Sequence, residues 1–169
     1  MRLFIAIPMN DAMRGALLEA QASLRKQRVG GTWTKPENLH LTLAFIGEYG
    51  DPERVLELLE TLPLRPFSLR LEGFGCFGDH YWCGVAPSPA LEAWVRQLRR
   101  ALAEAGIPFD RKRFTPNITL LRRASSAVMP AVAVPDAEME VRSVSLLRSD
   151  RGRDGMIYTE LGRAAGAAE

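Results

Sequence analysis

"FTPNITLLR", residues 114–122, echoes "NLHLTLAFIGE", residues 38–48. Side chains two apart on a strand share a face. Leu39, Leu41 and Leu43 therefore point one way, and Asn38, His40 and Thr42 the other. In the second stretch Ile118 and Leu120 oppose Asn117 and Thr119. Either stretch alone reads as a half-exposed strand with a polar outer face. Occurring twice with matching flanks, the pattern predicts two related strands whose polar faces meet across a cleft. The copies differ where the chemistry would lie, with His40 in one and Asn117 in the other.

The segments around these two strands alternate between strand and helix patterns. "RLFIAIP", closed by Pro8, is the apolar run of a buried strand. From Asn10 to about Arg28, Met13, Leu17, Ala20 and Leu24 recur at helical spacing, and Gly30-Gly31 is expected to stop that helix. Gly47 is expected to end the strand over residues 39–46. Asp51-Pro52-Glu53 supplies a cap, a first-turn proline and an acid for a second helix. "FSLRLEGF" and "HYWCGVA" predict a hairpin about a Gly-Asp turn. Ser88-Pro89 opens a third helix that Gly106 stops. "EVRSVSLL" and "MIYTEL" are further strands. The mixture predicts an α+β or α/β domain with a duplicated β-α-β-like plan.

Length and composition set the frame. A chain of 169 residues, 47% apolar and 25% charged, is expected to form one globular domain over 1–169, with 161–169 as the place for a disordered tail. A net charge of +2 is no polyanion-binding signature. Of the 22 basic residues only Lys26, Lys35 and Lys112 are lysine, a bias that suits phosphate contacts and that an Arg-rich genome also produces. The "LFIAI" run is too short for a membrane span or a signal core, so a cytoplasmic protein is expected. Cys76 and Cys83 flank the hairpin; a disulfide is conceivable, and free, half-buried thiols are expected in a reducing compartment. Two cysteines and two histidines, widely placed, make no zinc site. Gly73, Gly75 and Gly78 match G-x-G-x-x-G, but a strand follows rather than a helix, so they read as turn and bulge glycines. Neither a Walker A motif nor a Lys-X-Asp-Gly arrangement occurs, so ATP-driven ligation is not expected.

Opening a phosphodiester requires a base on the attacking side and an acid on the leaving side. Histidine suits either role, and threonine hydroxyls can hold the non-bridging oxygens. On the residues quoted, the chain resembles the two-histidine phosphoesterase superfamily, and within it the RNA 2',3'-cyclic phosphodiesterases, historically named 2'-5' RNA ligases. "YWCGV", "SVSLLRS" and "IYTEL" extend the similarity over nearly the whole chain. The resemblance implies an α+β fold of two pseudo-symmetric lobes of antiparallel sheet, helices outside, around a central cleft. It implies hydrolysis of a terminal RNA 2',3'-cyclic phosphate to a 2'-phosphate without metal or cofactor. Carried over by position, His40 is the general acid, Thr42 and Thr119 hold phosphate, and Arg122 is a further phosphate contact. Asn117 occupies the place of the second histidine, where the family pattern has His-X-Thr.

An amide exchanges no proton near neutral pH, so Asn117 cannot serve as a base. Impaired turnover is therefore expected, with a pH profile showing one histidine; a bell with two near-neutral limbs would point instead to His80. That residue, in "GDHYW", is expected to be a solvated turn residue, the alternative being that it reaches the cleft. Arg111, Lys112, Arg113, Arg122 and Arg123 cluster about the second motif, with Arg148, Arg151 and Arg153 in an expected loop. They read as solvated charges or as an approach for an RNA end. Phe4, Trp33 and Tyr49 are near enough to the motifs to stack a base, with core packing the competing role for Phe4 and Trp33. Three readings accommodate Asn117: a slow or substrate-shifted phosphodiesterase, for instance on another 2'-5' or cyclic nucleotide; a non-catalytic binder of 2'-phosphate or cyclic-phosphate RNA ends; or a chain inactivated by design. A monomer without a membrane or obligate protein partner is expected.

Overall fold

The first strand, β1 (Arg2–Pro8), is apolar without interruption because both of its faces are covered. Leu3, Ile5 and Ile7 enter the main core, whereas Phe4 and Ala6 join a small second cluster with Leu147. The computed structural model describes residues 1–165. After β1 come α1 (Asp11–Lys26), β2 (Gly30–Trp33), a 3₁₀ turn (Pro36–Asn38), β3 (His40–Glu48) and α2 (Pro52–Thr61). Then follow β4 (Phe67–Phe77), β5 (His80–Val85), α3 (Pro89–Glu104), β6 (Asn117–Ser125), β7 (Glu138–Val141), β8 (Val144–Gly152) and β9 (Gly155–Ala164).

The strands form one antiparallel sheet in the order β7-β4-β5-β6-β3-β1-β8-β9, with β2 added beside β6. The order is symmetric about its centre. In one half β1, α1 and, after the short β2 and the 3₁₀ turn, β3 come in chain order and β1 pairs with β3; in the other β5, α3 and β6 come in the same order and β5 pairs with β6. The motif strands β3 and β6 meet at the middle through Leu41 and Ile118. The architecture thus agrees with the expected two-lobed α+β fold.

The helices start where local chemistry provides caps. Asn10, Asp51 and Ser88 each accept a hydrogen bond from the backbone N–H three residues on, satisfying one otherwise orphaned donor. The inner face of α1 carries Met13, Leu17, Ala20 and Leu24; that of α3 carries Leu91, Trp94, Val95, Leu98 and Leu102. Gln21 is buried among them, and its Nε2 donates to Thr34 O and Leu120 O, both at 2.9 Å, which fastens α1 to the second motif strand.

Several expectations need correction. Gly30-Gly31 does not stop the first helix: α1 ends at Lys26 and Gly30 already opens β2. A Cβ on Gly31 would lie 2.8 Å from Arg122 O, so glycine is required for the close approach of β2 to β6. Gly47 does not end β3, which runs through Glu48. "EVRSVSLL" is two strands, since Val141 and Val144 are both buried and three-residue spacing cannot serve one strand face. β7 joins β4, whereas β8 joins β1 on the opposite side of the centre. Arg148 and Arg151 lie in β8 rather than in a loop. Residues 161–164, expected to begin a disordered tail, complete β9, and Ala164 is buried; residues 166–169 lie outside the described residues. Cys76 pairs with Tyr81 and Cys83 with Phe74, so the thiols do not face each other. Both are free, and burial pushes Cys83 up to about 12.

Candidate active site

On β3 the alternation sends His40 and Thr42 to one face and Leu41 and Leu43 to the core. There the register slips: Ala6 faces Thr42 but Ile5 faces Ala44. The extra residue is a bulge that buries both Leu43 and Ala44 and returns Phe45 to the cleft face, where it is 46% exposed. The same slip recurs on β6, where Trp82 faces Thr119 but Tyr81 faces Leu121. Leu120 and Leu121 are both buried, and Arg122 returns to the cleft. Strict alternation would have sent Arg122 into the core. The two bulges give the halves matching cleft positions: His40, Thr42 and Phe45 against Asn117, Thr119 and Arg122.

The sequence-predicted site residues His40, Thr42, Asn117, Thr119 and Arg122 all line one open cleft of about 1180 Å³. His40 Nδ1 lies 2.6 Å from Asn38 O and Nε2 lies 2.8 Å from Thr42 Oγ1. A carbonyl only accepts, so Nδ1 carries the hydrogen and neutral His40 presents its Nε2 lone pair to the Thr42 hydroxyl. Asn38 is buried, and its Nδ2 donates to Met156 O at 2.9 Å, tying the 3₁₀ turn to β9. Phe4 lies beneath the imidazole with ring centroids 5.1 Å apart, and Tyr158 meets it edge-on at 5.3 Å. Burial lowers the His40 pKa, the Asn38 carbonyl opposes that shift, and the Arg122 charge adds to it.

Asn117 is half-buried, and its Nδ2 donates to Thr115 O at 2.7 Å, within its own segment. The ring that reaches Thr119 is His80, with Nε2 2.8 Å from Thr119 Oγ1. His80 is therefore no solvated turn residue. The turn is confined to Gly78-Asp79, β5 resumes at His80, and the alternation of His80 and Trp82 against Tyr81 and Cys83 carries it to the cleft side. Burial, then the Arg122 charge, lower its pKa, while Asp79 raises it.

Charge is concentrated here far beyond the net +2 of the chain. Arg2, Arg99, Lys112, Arg113, Arg122, Arg123 and Arg151 line the cleft, with Asp110 the one carboxylate among the described residues there. Arg99 donates to Lys112 O at 2.6 Å and Leu43 O at 3.3 Å, pinning the basic segment against the β3 bulge. Arg111 instead lies over Phe109, and Arg148 pairs with Asp150. Of the proposed stacking rings, Phe4 is floor, Trp33 sits under Arg25 at 4.3 Å, and Tyr49 packs against the core. The exposed cleft aromatics are Phe45 and Phe77, neither of which the sequence singled out. No three His, Cys, Asp or Glu side chains cluster to hold a metal ion among the described residues, and no helix among them is long and apolar enough to cross a membrane.

Comparison with known proteins adds four findings. A family model described as LigT-like phosphoesterase matches residues 7–81. An RNA 2',3'-cyclic phosphodiesterase of Thermotoga maritima is 36% identical over 132 residues, covering 72% of this chain and 70% of its own. One of Thermus thermophilus is 34% identical, covering 95% and 88% respectively. The crystal structure of E. coli LigT complexed with 3'-AMP matches with a TM-score of 0.85 at 30% identity, over 96% of this chain and 95% of that one.

Proposed function

The chain belongs to the LigT-like phosphoesterases of the two-histidine superfamily, and from that premise we propose that it opens terminal RNA 2',3'-cyclic phosphates to 2'-phosphates without a metal. The observation that carries this reading is the convergence of His40, Thr42, Thr119 and Arg122 on one cationic cleft. Water attacks phosphorus as the P–O3' bond breaks, and His40 Nε2–H delivers its proton to the departing O3'. The Thr42 and Thr119 hydroxyls and the Arg122 guanidinium hold the non-bridging oxygens.

His40 fits the acid role because Asn38 O accepts from Nδ1–H and supports the imidazolium. Burial and Arg122 hold the free ring neutral; a bound phosphate anion acts in the opposite sense and favours its protonation. The basic rim suits an RNA end. Asn117 supplies no proton carrier, and a cleft relying on His40 alone would turn over roughly 10²–10⁴-fold more slowly than one with two. The test is turnover of an RNA oligomer ending in a 2',3'-cyclic phosphate, with EDTA present. Turnover to a 2'-phosphate that falls ~10²–10⁴-fold in His40→Gln supports the reading. Binding of the RNA end with no turnover by the wild-type chain would make it a reader of phosphate ends instead.

A further inference from the structure

We propose that His80, which lies outside both motif strands, is the second catalytic proton carrier of this cleft and fills at Thr119 the role that Asn117 cannot. The inference rests on the phosphodiesterase reading above and replaces the expectation of a one-histidine enzyme.

The contact of His80 Nε2 with Thr119 Oγ1, 2.8 Å, repeats that of His40 Nε2 with Thr42 Oγ1, also 2.8 Å. Each half of the sheet thus presents one imidazole nitrogen to one cleft threonine. The routes differ. His40 comes from the same strand as its threonine, two residues before it. His80 comes from the adjoining strand: Gly84 pairs with Asn117 and Trp82 with Thr119. The next residue on that face of β5 is His80, one step beyond the Tyr81–Leu121 pair, in the cleft and near enough to Arg122 for that charge to act on it.

Internal symmetry explains why a ring at position 80 fits. In the first half Ala6 pairs with Thr42 and Phe4 with Phe45, so Phe4 holds the place in β1 that His80 holds in β5. Phe4 is the ring beneath His40. In the second half the ring in the supporting place is itself an imidazole, and the motif position is Asn117. The imidazole of this half comes from the neighbouring strand and still meets the cleft threonine. Phe77 lies against His80 at 6.1 Å, as Phe4 and Tyr158 lie against His40.

The division of labour follows from the surroundings. His40 Nδ1–H is held by a carbonyl, which supports its protonated form; among the described residues His80 has no such acceptor, and the charges bearing on it are Arg122 from β6 and Asp79 from the turn. His80 therefore accepts. Its Nε2 takes a proton from water as the water oxygen bonds to phosphorus, the P–O3' bond breaks, and His40 Nε2–H protonates O3'. Solvent then removes the proton from His80 and restores that of His40, so one water is consumed per ring opened.

The experiment measures kcat against pH on the cyclic-phosphate RNA with EDTA for the wild type, His80→Gln, Asn117→His and the double variant. Two near-neutral limbs are expected for the wild type. His80→Gln should lose one limb and ~10²–10⁴ in kcat while keeping affinity for a 2'-phosphate RNA end, and Asn117→His in that background should recover at least about tenfold. Wild-type kcat in His80→Gln, or a hundredfold gain from Asn117→His alone, would overturn the inference and leave the phosphodiesterase reading intact. If the wild type and Asn117→His are both inert, that reading fails and the inference with it. The chain has only two histidines, so imidazole resonances of the unmodified protein give a check that needs no variant. Adding a nucleoside 2'-monophosphate should raise both midpoints; a midpoint of His80 that stays put would also refute its role.

Discussion

At His40 a main-chain carbonyl, not a side chain, selects the tautomer, so the orientation of the imidazole should survive most substitutions at residue 38. What Asn38→Ala removes is the bond from Nδ2 to Met156 O, at a cost of about 1 kcal/mol in denaturant unfolding. Beside the phosphate contact proposed for it, the Arg122 charge lowers the pKa of both histidines. Arg122→Ala should move both imidazole midpoints upward by NMR and reduce the salt slope of RNA binding by about 1. Unchanged midpoints would mean that the guanidinium points away from the rings. The cleft-side placement of His40, Thr42, Asn117 and Thr119 was legible one residue at a time, because it follows from alternation on the motif strands, whereas that of Arg122 needed the bulge. His80 was not: its place at a hairpin tip in the sequence says nothing of the threonine on the neighbouring strand.

Secondary-structure elements with their own caps and periodicity were legible. Helices α1, α2 and α3 announce themselves by Asn10, Asp51-Pro52 and Ser88-Pro89, and the hairpin of β4 and β5 by Gly78-Asp79. The four-residue strands β2 and β7 were missed because their partners on β6 and β4 define them. The bulges escaped for a related reason. "LTLAF" and "ITLLR" can alternate strictly or slip, and only the pairing with β1 and β5 decides. Gln21 joins elements in a way that helical periodicity alone does not show. Gln21→Leu keeps the bulk but leaves Thr34 O and Leu120 O unpaired, and should cost ~1–3 kcal/mol by denaturant titration. A change under about 0.5 kcal/mol would show that the fastening is not needed.

For the whole molecule, symmetry and charge combine. A net charge of +2 hides a cleft lined by seven cations, so RNA binding should weaken steeply with added salt, measured as log affinity against log salt. Acid should weaken the fold as well. The folded pKa of His40 lies below its ordinary value of 6.5, so the unfolded chain binds the proton first. This contribution is present above about pH 6.5 and is lost as pH falls toward the folded value. The wild type should lose more stability than His40→Gln between about pH 7.5 and about pH 5.5, as followed by denaturant midpoints.

By itself the sequence determined the two motif strands, the capped helices and the α+β plan, because period, caps and turns are local and act within a few residues. Tertiary structure decided which side chains share the cleft. Arg122 enters it through a bulge fixed by β5, the tail residues 161–164 become the end of β9 through pairing with β8, and His80 meets Thr119 from the neighbouring strand. Such contacts depend on register between segments far apart in the chain, and a slip of one residue reverses every face.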